Sequence, residues 1–292
     1  MEELRLEANG LRFHALADGP ADGRLILLLH GFPELSRSWR HQLPALAAAG
    51  YRAVAPDLRG YGSSDKQGLY DTGTLARDVA GLVAALGRDQ AVVVGHDWGG
   101  AVAWMTAHLE PQVVERLVIL NCPHPAAFGA ELLRNRAQLR RSAYLFLFQL
   151  PWLPERLLRR DGARPIARAL RGGSHVRSAW PPEETEHYRR AFLEPGAASA
   201  ALGYYRAAFR RPLAARRAAL ARPIEEPTLI LWGTRDRFLG ERLIRAEALS
   251  PWFAAGNEPT VRRVEEAGHF VQNEMPERVN EELLRWLGVR PR

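Results

Sequence analysis

Three residues stand where chemistry is expected to collect. Asp97 lies inside Gly95-His96-Asp97-Trp98-Gly99-Gly100, directly after the apolar, β-branched run 91–94 and before a stretch, 101–109, with helix-like apolar content. Glycines at Gly95 and Gly99 remove Cβ atoms where two backbones must approach closely. Strand, sharp turn and helix in this order push the central residue up at the strand end, the geometry of a nucleophile elbow. The residue presented there is a carboxylic acid. A serine that displaces a leaving group from an sp³ carbon makes an ether, which water does not readily open. A carboxylate making the same attack forms an ester, which an activated water hydrolyses. Asp97 therefore suits alkyl transfer: opening an epoxide or displacing a halide. Taken alone, it equally fits a cap on the following helix.

Asp236 follows the apolar run 227–232, and His269 follows the short run 260–264 and the segment Glu265-Glu266-Ala267-Gly268. Asp97, Asp236 and His269 each sit just past a predicted strand. In a parallel sheet those carboxyl ends share one edge, where active sites form. The chain order of nucleophile, acid and histidine is one in which catalytic triads are built. Each member has a plainer reading. Asp236 fits an Asx turn or a helix cap, His269 fits a loop histidine satisfied by backbone, and Glu265 and Glu266 compete for the role of the acid. His30-Gly31-Phe32-Pro33, after the buried run 24–30, forces a shaped loop. The backbone N–H groups of Phe32 and Trp98 are candidates for an oxyanion hole; a simple strand-to-helix loop is the alternative.

The elements that must position these residues alternate in kind. Residues 4–16 form two short strands around the Asn9-Gly10 turn. Strands are predicted over 24–30, 51–56, 91–94 and 113–120, and helices over 38–49, 74–86 and 101–109. Between residues 123 and 222 no buried β-branched strand appears. This stretch is rich in Arg, Ala, Leu and aromatic residues, and proline clusters at 151–154 and 181–182 are expected to break its helices. Strands return at 227–232 and 260–264, and a closing helix is predicted over 276–287 with proline in its first turn. The expected organisation is a core of 1–122 and 223–292 with an inserted helical segment, 123–222.

Composition narrows the classes. Over 292 residues, 47% are hydrophobic and 25% charged, as in ordinary globular proteins. No apolar run reaches a membrane span, the first residues lack the apolar core of a signal peptide, and Cys122 is the single cysteine, so the cytoplasm is the expected compartment. No Cys/His metal spacing, phosphate loop or repeat appears, and no cofactor is expected. The net charge of +7 is uneven: residues 123–222 hold 19 arginines against 7 acidic residues. Solvated helix faces account for these arginines better than nucleic acid does, and no nucleic-acid partner is expected. Steering of anionic substrates is a further reading of them. Both a monomer and a homodimer are open.

The chain resembles the α/β-hydrolase-fold epoxide hydrolases of the soluble type. The resemblance spans about residues 4–287. It rests on His30-Gly31-Phe32-Pro33, Arg59-Gly60-Tyr61-Gly62-Ser63-Ser64-Asp65, the elbow, Gly233 to Asp236 and Gly268-His269. It implies a mostly parallel sheet flanked by helices, with an inserted helical cap. Haloalkane dehalogenases share the aspartate and the following tryptophan, but they carry asparagine after the His-Gly pair, where this chain has Phe32. The resemblance also implies two cap tyrosines that hydrogen-bond the epoxide oxygen. Tyr144, four residues before Phe148-Gln149, and Tyr205, before Arg206, match those positions; Tyr204 competes with Tyr205, and both sites also fit core aromatics. His30, Trp98, Phe148 and Tyr204 are expected to line an apolar substrate site. The implied substrates are a small apolar epoxide and water, and the implied product is a vicinal diol.

Overall fold

The computed structural model describes residues 1–210 and 212–289, apart from the side chains of Leu213 and Arg216. The alternating apolar runs become one eight-stranded sheet: β1 Glu2–Ala8, β2 Leu11–Asp18, β3 Leu25–Leu29, β4 Arg52–Pro56, β5 Ala91–His96, β6 Val114–Leu120, β7 Thr228–Gly233 and β8 Thr260–Val264. Their spatial order is β1-β2-β4-β3-β5-β6-β7-β8. β2 pairs antiparallel with β1 and β4, and every other pairing is parallel. The β1–β2 turn has φ of 51° at Asn9 and 73° at Gly10, the two left-handed residues a tight hairpin of matching twist requires.

The central strands are apolar without interruption because both faces are buried. Leu25, Leu27 and Leu29 of β3, Val93 of β5 and Ile119 of β6 fall in one cluster; Ile26, Leu28, Val92, Val94 and Val118 fall in the other. Alternate residues thus supply opposite layers. The second layer is completed by α1 Gln42–Ala48 and the closing helix Pro276–Trp286. The first is completed by α2 Thr72–Ala85 and α3 Trp98–Leu109. It also continues without a break into the segment between β6 and β7, through Phe148, Ile166, Tyr188 and Tyr204.

Among its described residues that segment holds no strand, and its helices are α4 Pro125–Arg134, α5 Arg136–Arg141, α6 Tyr144–Leu147, α7 Leu153–Gly173, α8 Pro182–Leu193, α9 Ala197–Arg210 and α10 Leu213–Ala219. It lies over the carboxyl ends of the strands. The Glu184 carboxylate of α8 takes Arg37 Nη2 at 2.9 Å, and the Tyr188 hydroxyl lies 3.1 Å from Ser38 Oγ.

Two local expectations change. The helix after the elbow begins at Trp98, not at residue 101, because Gly99 and Gly100 pack within the helix: a Cβ at Gly99 would stand 2.1 Å from the Leu29 carbonyl oxygen. Residues 38–49 are not one helix. A short 3₁₀ turn, Ser36–Trp39, comes first, with the Ser36 N–H held by Asp57 Oδ1 at 2.8 Å. The proline clusters do separate helices: Pro151 lies between α6 and α7 and Pro181 ahead of α8, with Pro154 and Pro182 in first turns, where proline is tolerated. A further break inside α7 precedes Pro165, where Asp161, Gly162 and Ala163 are all left-handed.

Candidate active site

The elbow brings Asp97 to the carboxyl end of the central strand β5. The backbone there is strained, with φ 49° and ψ −118° at Asp97, an arrangement that costs of order 1–3 kcal/mol and persists only where the surroundings enforce it. They do so here by close approach. A Cβ at Gly95 would lie 2.3 Å from the Gly99 carbonyl oxygen, and one at Gly31 would lie 2.4 Å from Asp97 Cβ. The Asp97 side chain makes no cap bond to its helix. One oxygen accepts from the Phe32 N–H at 2.8 Å, and the other lies 3.4 Å from His269 Nε2. The N–H of Trp98, first residue of α3, belongs to the donors that a helix start leaves without intrahelical partners.

His269 stands between two carboxylates. Its Nδ1 is 2.8 Å from Asp236 Oδ2. Asp236 meets both readings of its position at once: Oδ1 accepts from the N–H groups of Phe238 and Leu239 at 2.7 and 3.0 Å, closing an Asx-type turn, while Oδ2 faces the histidine. The rival acids are engaged elsewhere. Glu265 accepts from Thr234 Oγ1, and Glu266 pairs with Arg235 and His175.

The electrostatics follow from burial and neighbours. Burial pushes the Asp97 carboxyl up, but the hydrogen bond and charge of His269 outweigh it and hold Asp97 below its ordinary value. Burial lowers His269, yet the Asp236 and Asp97 carboxylates overcome this and raise it well above the usual histidine value. Burial, then the neighbouring charge of Asp97, raises the Tyr144 hydroxyl. Burial, Tyr144 and Asp97 raise Tyr205, while a hydrogen bond from the Trp98 side chain draws it partly back. Both phenols stay protonated.

Aromatic rings pack against one another beside the elbow and His269. Tyr205 meets Trp98 and Phe148 edge-on at 4.9 Å each, Phe32 at 5.4 Å and Tyr144 at 6.2 Å, and Phe238 packs on His269 at 5.1 Å. The neighbouring tyrosine differs: the Tyr204 hydroxyl donates to the Arg59 carbonyl at 2.7 Å and is fully buried. Its proton is therefore committed to the backbone, and only its ring edge meets Trp98. The expectation that His30 lines the substrate site is revised on the same ground. His30 is fully buried, with Nδ1 against the Gly31 carbonyl at 2.9 Å and Nε2 accepting from the Leu58 N–H at 3.0 Å, so both ring nitrogens hold the loop.

Two supports have no counterpart in the sequence reading. Asn121, at the end of β6, donates from Nδ2 to Asp236 Oδ2 at 2.7 Å and accepts the Gly233 N–H at 2.8 Å. Glu34, fully buried, meets His96 Nδ1 at 2.5 Å and accepts from the Gly31 N–H and Gln272 Nε2; His96 Nε2 in turn meets the His269 carbonyl at 2.8 Å. This chain of bonds links the Gly31 loop, the elbow strand and the histidine loop. Asn121 carries a left-handed backbone after a strand, Glu34 directly follows His30-Gly31-Phe32-Pro33, and His96 lies within the elbow motif; these positions were the available signal.

Comparison with known proteins agrees with the fold. The α/β-hydrolase fold family matches residues 24–276. An AB hydrolase superfamily protein of Bacillus subtilis (YfhM) is 38% identical over 97% of this chain and 96% of its own. Epoxide hydrolase 4 of Homo sapiens is 35% identical over 95% of this chain and 76% of its own length. The crystal structure of an epoxide hydrolase from Bacillus megaterium with an inhibitor superposes with a TM-score of 0.83 at 29% identity, covering 98% of this chain and 100% of that one.

Proposed function

Since the chain belongs to the α/β-hydrolase-fold epoxide hydrolases, we propose that it hydrolyses small apolar epoxides to vicinal diols through an ester on Asp97. The observation that carries this reading is one juxtaposition: an ionised, strained Asp97 with His269 and Asp236 behind it and two protonated phenols, Tyr144 and Tyr205, near enough to be raised by its charge. Residues 123–222 are read as the cap that brings the phenols there.

In the first half-reaction Asp97 attacks an epoxide carbon opposite its C–O bond. The ring C–O bond breaks, and the leaving oxygen takes a proton from the phenol pair. A strongly basic alkoxide needs that donation; a halide does not. In the second, His269 removes a proton from water, and the hydroxide attacks the carbonyl carbon of the ester. The N–H groups of Phe32 and Trp98 steady the oxyanion. Collapse breaks the ester C–O bond; the leaving alkoxide takes the proton held by His269 and the carboxyl proton returns to the phenolate, so the diol leaves and both carboxylate and phenol are restored. The first step also prepares the second. Esterification removes the Asp97 charge, one of the two carboxylates that raise His269, so forming the ester moves the imidazole towards its free-base form.

Product analysis with styrene oxide, a longer aliphatic epoxide and 1-bromobutane, beside Asp97→Ala, tests this. Diol that disappears in the variant is the expected result. Bromide release without diol would overturn the roles of the tyrosines.

A further inference from the structure

The cap carries a face that this chemistry does not use. Between residues 146 and 157, Phe146, Leu147, Leu150, Trp152 and Leu157 all stand open to solvent, Trp152 by 68%. Trp152 and Leu157 line one concavity with Arg156 and Arg159. Leu157 and Leu147 line the adjoining cavity of about 270 Å³, and Arg160 borders both. Leu147, Trp152 and Leu157 thus form a connected apolar patch, of the kind that marks an interaction surface.

Its rim is basic. Helix α7 holds six arginines against two acidic residues. Both acids are already paired, Glu155 with Arg206 at 2.6 Å and Asp161 with Arg160 at 3.2 Å. Arg156, Arg164 and Arg168 are exposed. This charge decides the occupant. A second copy meeting the same face about a two-fold axis would set arginines against arginines. An anionic bilayer satisfies both halves of the pattern: tryptophan, phenylalanine and leucine enter the boundary between headgroups and acyl chains, and arginines meet lipid phosphates. Among the described residues no helix is long and apolar enough to cross a membrane, so the contact is peripheral.

We propose that this face of the cap docks the protein on an anionic lipid surface. Phe148 gives the placement a purpose. It lines the 270 Å³ cavity and also packs on Tyr205 at 4.9 Å and Tyr144 at 5.5 Å. One ring therefore separates the docked face from the phenol pair. Resting on the functional reading above, an apolar epoxide dissolved in the bilayer would reach the protein from this side.

The test is co-sedimentation of the full chain with vesicles of phosphatidylcholine alone or of phosphatidylcholine with phosphatidylglycerol, at low and high salt. Binding is expected only with phosphatidylglycerol and is weakened by salt. The double variants Trp152→Ser with Leu157→Ser, and Arg156→Glu with Arg168→Glu, are expected to lose at least about tenfold in partitioning. Equal binding to both vesicle types, binding to neither, or binding that survives in both variants would overturn the proposal. So would a dimer, seen by sedimentation velocity without vesicle binding, that the Trp152 and Leu157 changes dissolve; the face would then belong to a second copy. Turnover of a water-soluble epoxide without vesicles stays unchanged in the variants, which shows them folded. Absence of turnover in the unmodified protein would sink the functional reading and leave the docking result standing.

Discussion

Asn121 and His269 donate to the same carboxylate oxygen: Asp236 Oδ2 lies 2.7 Å from Asn121 Nδ2 and 2.8 Å from His269 Nδ1. With the Phe238 and Leu239 N–H groups on Oδ1, four donors fix the acid. Asn121→Gly keeps the left-handed backbone, φ 39°, and removes the amide. A hydrogen bond to a charged group contributes about 1.5–3 kcal/mol. Ester hydrolysis is therefore expected to slow by about ten- to a hundredfold, while the first alkylation burst is kept. Single-turnover measurements separate the two; a burst that falls equally would assign Asn121 to the elbow.

Removing the base should strand the reaction halfway. His269→Gln leaves Asp97 and both phenols in place, so one equivalent of epoxide adds and stays. Intact-protein mass spectrometry is expected to find the added mass, and peptide mapping to place it on Asp97. An unmodified protein after incubation would argue against an aspartyl ester.

The two phenols should divide from their neighbour. Tyr144→Phe and Tyr205→Phe are each expected to slow ring opening by about tenfold or more, and together by the full effect of proton donation, about 10²–10⁴-fold. Tyr204→Phe loses only its bond to the Arg59 carbonyl, about 1 kcal/mol of stability, with ring opening unchanged. Burst rates and thermal melts of the three variants check this.

The pH dependence has a definite sign. Asp97 is held low and both tyrosines high, so ring opening is expected to be flat through the neutral range. Hydrolysis needs neutral His269 and is lost towards acid, where the ester should accumulate. Stability runs differently. His269 is raised in the folded state, so its contribution is full below its unfolded value of about 6.5 and is lost as pH rises through the folded value. Asp97 is lowered, so its contribution is present above about 3.9 and is lost as pH falls through its folded value. The stability advantage over Asp97→Asn should thus peak between about pH 4 and 6.5 and shrink on the alkaline side. Calorimetric melts across pH would show a constant difference if the pair were uncoupled.

What the sequence revealed depended on whether a signal was local. β5 is legible because valine runs and glycines report burial and close approach within a few residues. Asp236 is legible as the acid from its place just past β7, but what keeps Glu265 and Glu266 from competing is not, because Arg235, His175 and Thr234 draw the glutamates away. Tyr204 and Tyr205 are adjacent in sequence and face different partners, which only the setting of α9 against Arg59 and Trp98 decides. Glu34, His96 and Gln272 join three loops far apart in the chain, and no spacing rule links them.

The tightest contact at the site gives a last expectation. Gly31 needs no special φ, yet a Cβ there would stand 2.4 Å from Asp97 Cβ and 2.6 Å from its Oδ1. These neighbours have little freedom: Asp97 is fixed by the elbow, and the next residue donates its N–H to the same Oδ1. Gly31→Ala must therefore push the nucleophile and the Phe32 donor apart. Overpacking of this kind costs about 1–3 kcal/mol of stability, which a folded domain of this size tolerates, but a displacement of a reacting group by about 1 Å costs on the order of a hundredfold in rate. The expected outcome is a folded protein, with a modestly lower Tm, in which alkylation of Asp97 is slowed far more than substrate binding. A burst rate equal to that of the unmodified protein would mean that the Gly31 loop moves freely and that the Phe32 N–H does not set the position of the nucleophile.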